Sequence, residues 1–428
     1  MRKAIVSALV ALAAVSLTAH AQSTAAAKPR IESGFAADRL ARLDQIMQRA
    51  VDENQIAGAV AVVLRDGRPV YERAVGWADK ESNRRMTTDA IFRIASQTKA
   101  ITSAAVLMLM EEGRLSLGDP ASKFIPQFAH TTVATASDTG RVIANAKRPI
   151  TIRDLLTHTS GISYGTDAVV APLYSAKALG PAAGWGWYTA DKDEPVCTTM
   201  ERLATLPFVA QPGEKWVYGY SIDVLGCVIE RASGIPFDQF VRTRITQPLG
   251  MNDTFFFIPP EKKQRLATVY MSDSTGHVRR APEGPRGQGN YVEGPRRNFS
   301  GGAGLLSTTH DYGRFLQMLL NGGQLDGVRL LSPKTVALMT TNQVGTLLDP
   351  TDQRNGFSLG FGTVERLGGN GMASVGSYGW GGAYGSVYEV DPRERLVMMF
   401  MVQQLPNSAD VRDKFLTLVY QALVEPKP

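Results

Sequence analysis

Cysteine is nearly absent: Cys197 and Cys227 are the only two in 428 residues. Two thiols build neither a disulfide scaffold nor a cysteine-based zinc finger. They leave two alternatives, a single disulfide or buried free thiols, and Cys227 lies in the apolar stretch 224–229, where a free thiol packs well. Histidine is scarce too. The five residues His20, His130, His158, His277 and His310 show no H-E-x-x-H and no paired spacing, so no metal site is expected. Charged residues are only 20% of the chain against 44% hydrophobic, a balance that excludes a disordered protein. Past residue 21 no apolar run is long enough to span a bilayer. Internal repeats are absent as well.

What is present begins with Arg2 and Lys3, an apolar run over 4–17, and Ala19-His20-Ala21. That order predicts a signal peptide over 1–21 and an exported protein, periplasmic or secreted. Residues 22–35, rich in Ala, Ser, Lys and Pro, read as a flexible lead-in. The formal net charge of +6 loses two positive charges with the signal. Residues 261–300 hold eight Lys and Arg against Glu261, Asp273, Glu283 and Glu293, which accounts for the rest of the excess. Confined to one Gly/Pro-rich loop, this charge reads as a solvated surface and not as a nucleic-acid footprint.

Hydrophobic spacing predicts a helix from residue 38, then strands over 57–64 and 69–77 joined at Asp66-Gly67. Residues 94–112 read as a helix apolar nearly all round, hence buried. From about 114 to 300, short helices over 151–158, 193–206 and 222–232 alternate with loops, of which 159–192 and 272–304 are long enough to wall a site. Strands return over 374–380, 385–390 and 396–402, the last pair joined at Asp391-Pro392-Arg393-Glu394, and a helix over 408–424 closes the chain. Strands at both ends and helices between them predict an α+β domain over 36–428. Its antiparallel sheet is flanked by helices and interrupted by a mostly helical insertion.

Ser96-x-x-Lys99 places a hydroxyl and an amine on one face at the mouth of the buried helix. A serine needs a base before it attacks, and a buried lysine loses its charge readily. The helix start adds backbone N–H groups that can hold an oxyanion. Tyr218, ahead of the helix at 222–232, offers a phenol as proton relay. Glycines in 378–386 mark a strand edge that a ligand can approach, with Ala383 N–H as a second oxyanion donor. Gly161-Ile162-Ser163-Tyr164-Gly165 matches the nucleophile elbow G-x-S-x-G. That elbow needs a strand before the serine, and here a helix precedes it, so Ser163 is set aside.

These strings, with Thr151 to Gly161, Pro248 to Thr254 and Ser300 to Leu305, resemble the serine β-lactamase/penicillin-binding-protein superfamily. Within it the likeness is greatest to family VIII carboxylesterases, the class C β-lactamase-like serine hydrolases. It runs over about 38–425. The resemblance implies that Ser96 is the acylated nucleophile, that Lys99 shares its proton, that Tyr218 is the general base, and that Ser96 and Ala383 N–H form the oxyanion hole. Trp380-Gly381-Gly382 stands where lactamases carry Lys-Thr-Gly, and Tyr220 stands at the asparagine of Y-x-N, so Trp380, Gly381, Gly382 and Tyr220 are the expected substrate-binding residues. Losing that lysine and that amide weakens lactam binding and favours neutral acyl groups. The expected function is hydrolysis of small, short-chain esters through an acyl-enzyme, without cofactor, metal, nucleic acid or membrane span. The alternatives are a β-lactamase or D-Ala peptidase, and a catalytically silent envelope binder.

Overall fold

Strands that are apolar at every position need cover on both faces, and that requirement sets the architecture. The computed structural model describes residues 30–138, 140–180, 189–348 and 355–427. Strands β1 (Gly58–Arg65), β2 (Arg68–Asp79), β3 (Arg84–Arg85), β4 (Gly356–Phe357), β5 (Gly362–Thr363), β6 (Tyr378–Gly381), β7 (Val387–Asp391) and β8 (Leu396–Val402) form one antiparallel sheet in the order β4-β5-β6-β7-β8-β1-β2-β3. Its centre joins the two ends of the chain, with β8 paired to β1 from Leu396↔Arg65 to Val402↔Ala59. Side chains alternate across a strand. Ala59, Ala61, Val63, Met398, Phe400 and Val402 therefore pack on one face, with Leu43 and Met47 of α1 (Ala37–Asp52) and Phe415 and Val419 of α7 (Val411–Ala422). Val60, Val62, Val397, Met399 and Met401 enter the larger core on the other face, with α2 (Thr98–Glu111) and α6 (Thr309–Leu320).

Every residue of α2 from Thr98 to Leu109 is buried, as its all-round apolarity requires. The helix starts later than the sequence pattern suggests. Ala95 has φ +44°, so Ala95–Gln97 forms a separate 3₁₀ turn before α2. Helices α3 (Ile152–Leu156), α4 (Val196–Leu203) and α5 (Ser221–Ser233) belong to the helical region, with shorter ones at Ala171–Ala176 and Phe237–Val241. The α3 start is fixed by a capping box in which Thr151 and Asp154 exchange side-chain and backbone bonds. Cys197 and Cys227 form a disulfide between α4 and α5, which decides between the two alternatives left by the sequence.

Three expectations change. The insertion is not only helical: Thr132–Ser137 and Gly140–Asn145 pair as a hairpin, whose β-branched alternation was a strand signal. Strand β6 begins only at Tyr378, because a Gly-rich loop occupies 368–376. The end of the lead-in is ordered, since Ile31–Glu32 pairs with Phe35–Ala36 and the buried Phe35 bridges Leu423. The expected signal peptide over 1–21 lies outside the described residues. The basic segment is largely neutralised by acids from elsewhere: Lys262 and Arg265 meet Asp253, Arg280 meets Asp79, and Arg297 meets Asp193. Among the described residues no helix is long and apolar enough to cross a membrane.

The disulfide spans 30 residues. Closing such a loop restricts the unfolded chain, so Cys197→Ser/Cys227→Ser should lower stability by about 3–4 kcal/mol, read as a lower guanidinium midpoint. An unchanged midpoint would show that the tie is dispensable.

Candidate active site

Lys99 sits in the first turn of α2 and is 1% exposed. An ammonium has three N–H groups and each must find an acceptor when buried. Here Nζ reaches Ser96 Oγ at 3.1 Å, Tyr164 OH at 3.1 Å and Gly302 O at 2.8 Å. As a neutral amine, the same nitrogen can instead receive the Ser96 hydroxyl proton. Ser96 itself lies on the 3₁₀ turn and is half-buried, so its hydroxyl stands where the core opens.

Tyr218 lies ahead of α5, with its ring 4.6 Å from Lys99 Nζ. Its hydroxyl oxygen accepts the Nε1–H of Trp380 at 3.0 Å. Two loops bring the tyrosines together. Val217 N–H donates to His158 O at 2.7 Å, and Gly213 N–H donates to Thr159 O at 2.7 Å. Between them, a Cβ on Gly219 would fall 2.2 Å from Ile162 O, so only glycine allows the approach.

Trp380 and Gly381 end β6, and Gly382 follows. A Cβ on Gly382 would lie 2.7 Å from Ile94 O, so this strand end touches the turn that carries Ser96. Ala383 packs in the same small cluster as Ala95. Ser96, Lys99, Tyr218, Trp380, Gly381, Gly382 and Ala383 are thus brought to one place.

Tyr220 departs from its expected role. It is 1% exposed, its hydroxyl accepts the Gly180 N–H at 3.2 Å, and its ring meets the Tyr164 ring edge-on at 4.8 Å. Buried and turned toward the 180 loop, it supports Tyr164 from behind and does not face a substrate directly. The G-x-S-x-G string carries a different residue from the one it advertises. Ser163 is buried in a loop and its Oγ accepts the Gly165 N–H at 3.1 Å, while the neighbouring Tyr164 reaches the lysine. Burial, followed by the nearby Tyr218 and Asp223, raises the Tyr164 phenol well above its ordinary value, so it stays protonated.

Sequence reasoning also passed over His158. Its backbone is left-handed at φ +56° and its ring is fully buried. The ring lies 4.7 Å from Tyr218, 5.6 Å from Phe357 and 6.0 Å from Trp216. Burial first, then the Lys99 charge, lowers its pKa well below the histidine range, so the imidazole is neutral. Trp216, Phe357 and Trp380 complete an aromatic wall around Tyr218. A left-handed non-glycine residue is not legible from sequence, so His158 carried no signal beyond its place after α3.

A family model described as Beta-lactamase matches residues 43–422. Esterase EstB of Burkholderia gladioli is 34% identical over 389 residues, which cover 86% of this chain and 91% of that one. Among solved structures, EstCE1, a hydrolase with promiscuous acyltransferase activity, superposes with a TM-score of 0.73 at 25% identity, covering 90% of this chain and 98% of that one. The octameric penicillin-binding protein homologue from Pyrococcus abyssi shares the fold, with a TM-score of 0.65 at 21% identity over 90% of this chain and 78% of its own.

The neutral His158 makes the fold sensitive to acid. Its folded pKa lies below the unfolded value of about 6.5, so the unfolded chain takes up a proton that the buried ring refuses. Stability should fall as pH drops below about 6.5. His158→Phe should flatten that fall, as seen by comparing urea midpoints at pH 7.5 and 5.0. Parallel losses in both proteins would assign the acid sensitivity elsewhere.

Proposed function

The chain belongs to the beta-lactamase family, and on that premise we propose that this serine hydrolase is an exported esterase that cleaves small neutral esters through an acyl-enzyme on Ser96. The observation that carries the reading is Lys99 Nζ held 3.1 Å from Ser96 Oγ in a buried setting. In acylation Ser96 Oγ attacks the ester carbonyl, and its proton passes to the Lys99 amine or the Tyr218 phenolate. The N–H groups of Ser96 and Ala383 hold the oxyanion. Collapse breaks the ester C–O bond and the stored proton leaves with the alcohol. A water molecule then repeats the sequence on the acyl-enzyme, giving the free acid and restoring Ser96. None of these steps needs a metal or cofactor.

Ester preference rests on the wall. Trp380 supplies a neutral N–H to Tyr218 where lactamases present a cation, and Trp216, Phe357 and the neutral His158 surround it. Nothing in this wall offers a cation to a substrate carboxylate, whereas the half-buried Trp216 and Trp380 present apolar surface to an acyl group. EstB is named an esterase, in keeping with this preference. Export is supported by the order of residues 1–21, a charged start, an apolar run and a small-residue end.

Two tests follow. Turnover of p-nitrophenyl butyrate should be abolished in Ser96→Ala and Lys99→Ala and persist in Ser163→Ala. Activity surviving in Ser96→Ala would end the proposal, and nitrocefin cleaved as fast as the ester would move the reading to a lactamase. Tyr164→Phe removes one acceptor of the Lys99 ammonium and should lower kcat ~10- to 100-fold with the fold intact, judged against Tyr218→Phe. A wild-type kcat would reduce Tyr164 to packing.

A further inference from the structure

The third partner of the Lys99 ammonium is a backbone carbonyl, Gly302 O at 2.8 Å. A carbonyl can hold a buried cation in place only if its own backbone is fixed. The segment around it, residues 300–305, has no regular structure before Leu306, so side chains must supply the fixing. Asp223 does most of this. The Ser300 hydroxyl donates to Asp223 Oδ1 at 2.5 Å, and the Gly302 N–H donates to the same oxygen at 3.0 Å. Ser300 Oγ in turn accepts the Ala303 N–H at 3.1 Å. From the other side, Thr102 Oγ1–H donates to Gly301 O at 2.8 Å and Leu305 N–H donates to Thr98 Oγ1 at 3.0 Å. The segment is clasped between α2 and the first turn of α5.

Both glycines are dictated by this clasp. A Cβ on residue 301 would stand 2.6 Å from Ile222 O, and one on residue 302 would stand 2.4 Å from Asp223 Oδ2. Asp223 is fully buried, and its Oδ2 has no hydrogen-bond partner among the described residues. Such a carboxylate is costly to keep unless a cation is near. Burial raises the Asp223 carboxyl, and the Lys99 charge is the largest influence opposing it, ahead of the Ser300 and Gly302 donors.

We infer that Asp223 is a positioning residue for the nucleophile. Through Ser300 and Gly302 it fixes the carbonyl that orients Lys99, and it places a negative charge beside the site. This rests on the serine-hydrolase reading of the site and deepens it. The titratable groups facing this pair are Tyr164 and His158 from the loop after α3, and Tyr218 and Tyr220 from the segment before α5. Removing a buried negative charge disfavours the protonated form of any group facing it, so the charge acts on the whole cluster with one sign.

The experiment measures the rate at which a fluorophosphonate labels Ser96 across pH, a readout that does not depend on the natural ester. Wild type, Asp223→Asn, Ser300→Ala and Ser96→Ala are compared. Asp223→Asn should label ~10- to 100-fold more slowly, because the lysine is misplaced. The ascending limb of its pH profile should move to lower pH by ~0.5 unit or more. Ser300→Ala, which keeps the charge and loses one donor, should slow labelling without moving the limb. If Asp223→Asn fails to fold, Ser300→Ala and Gly302→Ala carry the test, and wild-type labelling rates in both overturn the inference. A folded Asp223→Asn with an unmoved limb and a rate within twofold of wild type also overturns it, leaving Asp223 a structural residue. Labelling that persists in Ser96→Ala, or a wild type that does not label, instead overturns the nucleophile assignment beneath it.

Discussion

The arrangement depends on one demand: a lysine at the start of a fully buried helix must be given acceptors for three N–H groups. Helix α2 has no face turned to solvent, so its first turn cannot let the Lys99 chain reach outward to water. The three acceptors come from three separate parts of the chain, the Ser96 turn, the loop after α3 and the segment before Leu306. Meeting the demand therefore assembles the site. A serine becomes the neighbour of a base because the base has nowhere else to turn.

The same demand explains why α5 is so heavily tied. The segment before it presents Tyr218, its first turn carries Asp223, Ser221 Oγ meets Ser160 Oγ at 2.8 Å, and Cys227 binds it to α4. Small shifts of this helix would move a phenol and a carboxylate together. A hydrogen-bonded tie at its start and a covalent one at its middle hold these groups in the position that proton transfer requires.

The aromatic wall gives the site its chemical character. Where a cation would recruit an anionic substrate, Trp380 offers only a neutral N–H, and that N–H is already given to Tyr218. That donor takes one lone pair of the Tyr218 oxygen and leaves the oxygen able to accept a further proton or hydrogen bond. His158, shorn of its charge by burial, backs the wall from inside as a neutral ring against Tyr218 and Phe357. Polarity is concentrated on the reacting atoms, and the surroundings select by shape and hydrophobicity.

Much of this was legible in the residues. The buried helix, the two hairpins and the Ser96-x-x-Lys99 spacing follow from periodicity and turn chemistry, because local backbone rules act over a few residues. The strings around Tyr218 and Trp380 pointed to residues that the fold gathers near Lys99. What only the tertiary structure decided depends on contacts between distant segments. Tyr164 was hidden inside a motif that pointed at Ser163, and its role appears only when two loops close around Gly219. Tyr220 stood in a substrate position by alignment, yet its hydroxyl found Gly180, and the fold turned it inward. Whether Cys197 and Cys227 meet depends on how α4 lies on α5. Asp223 looked like one more acid in a helix start, and its bond to Gly302 joins positions 79 apart in sequence. Sequence spacing records which groups can meet within one element, whereas burial and hydrogen-bond demand, satisfied across the whole fold, settle which groups do.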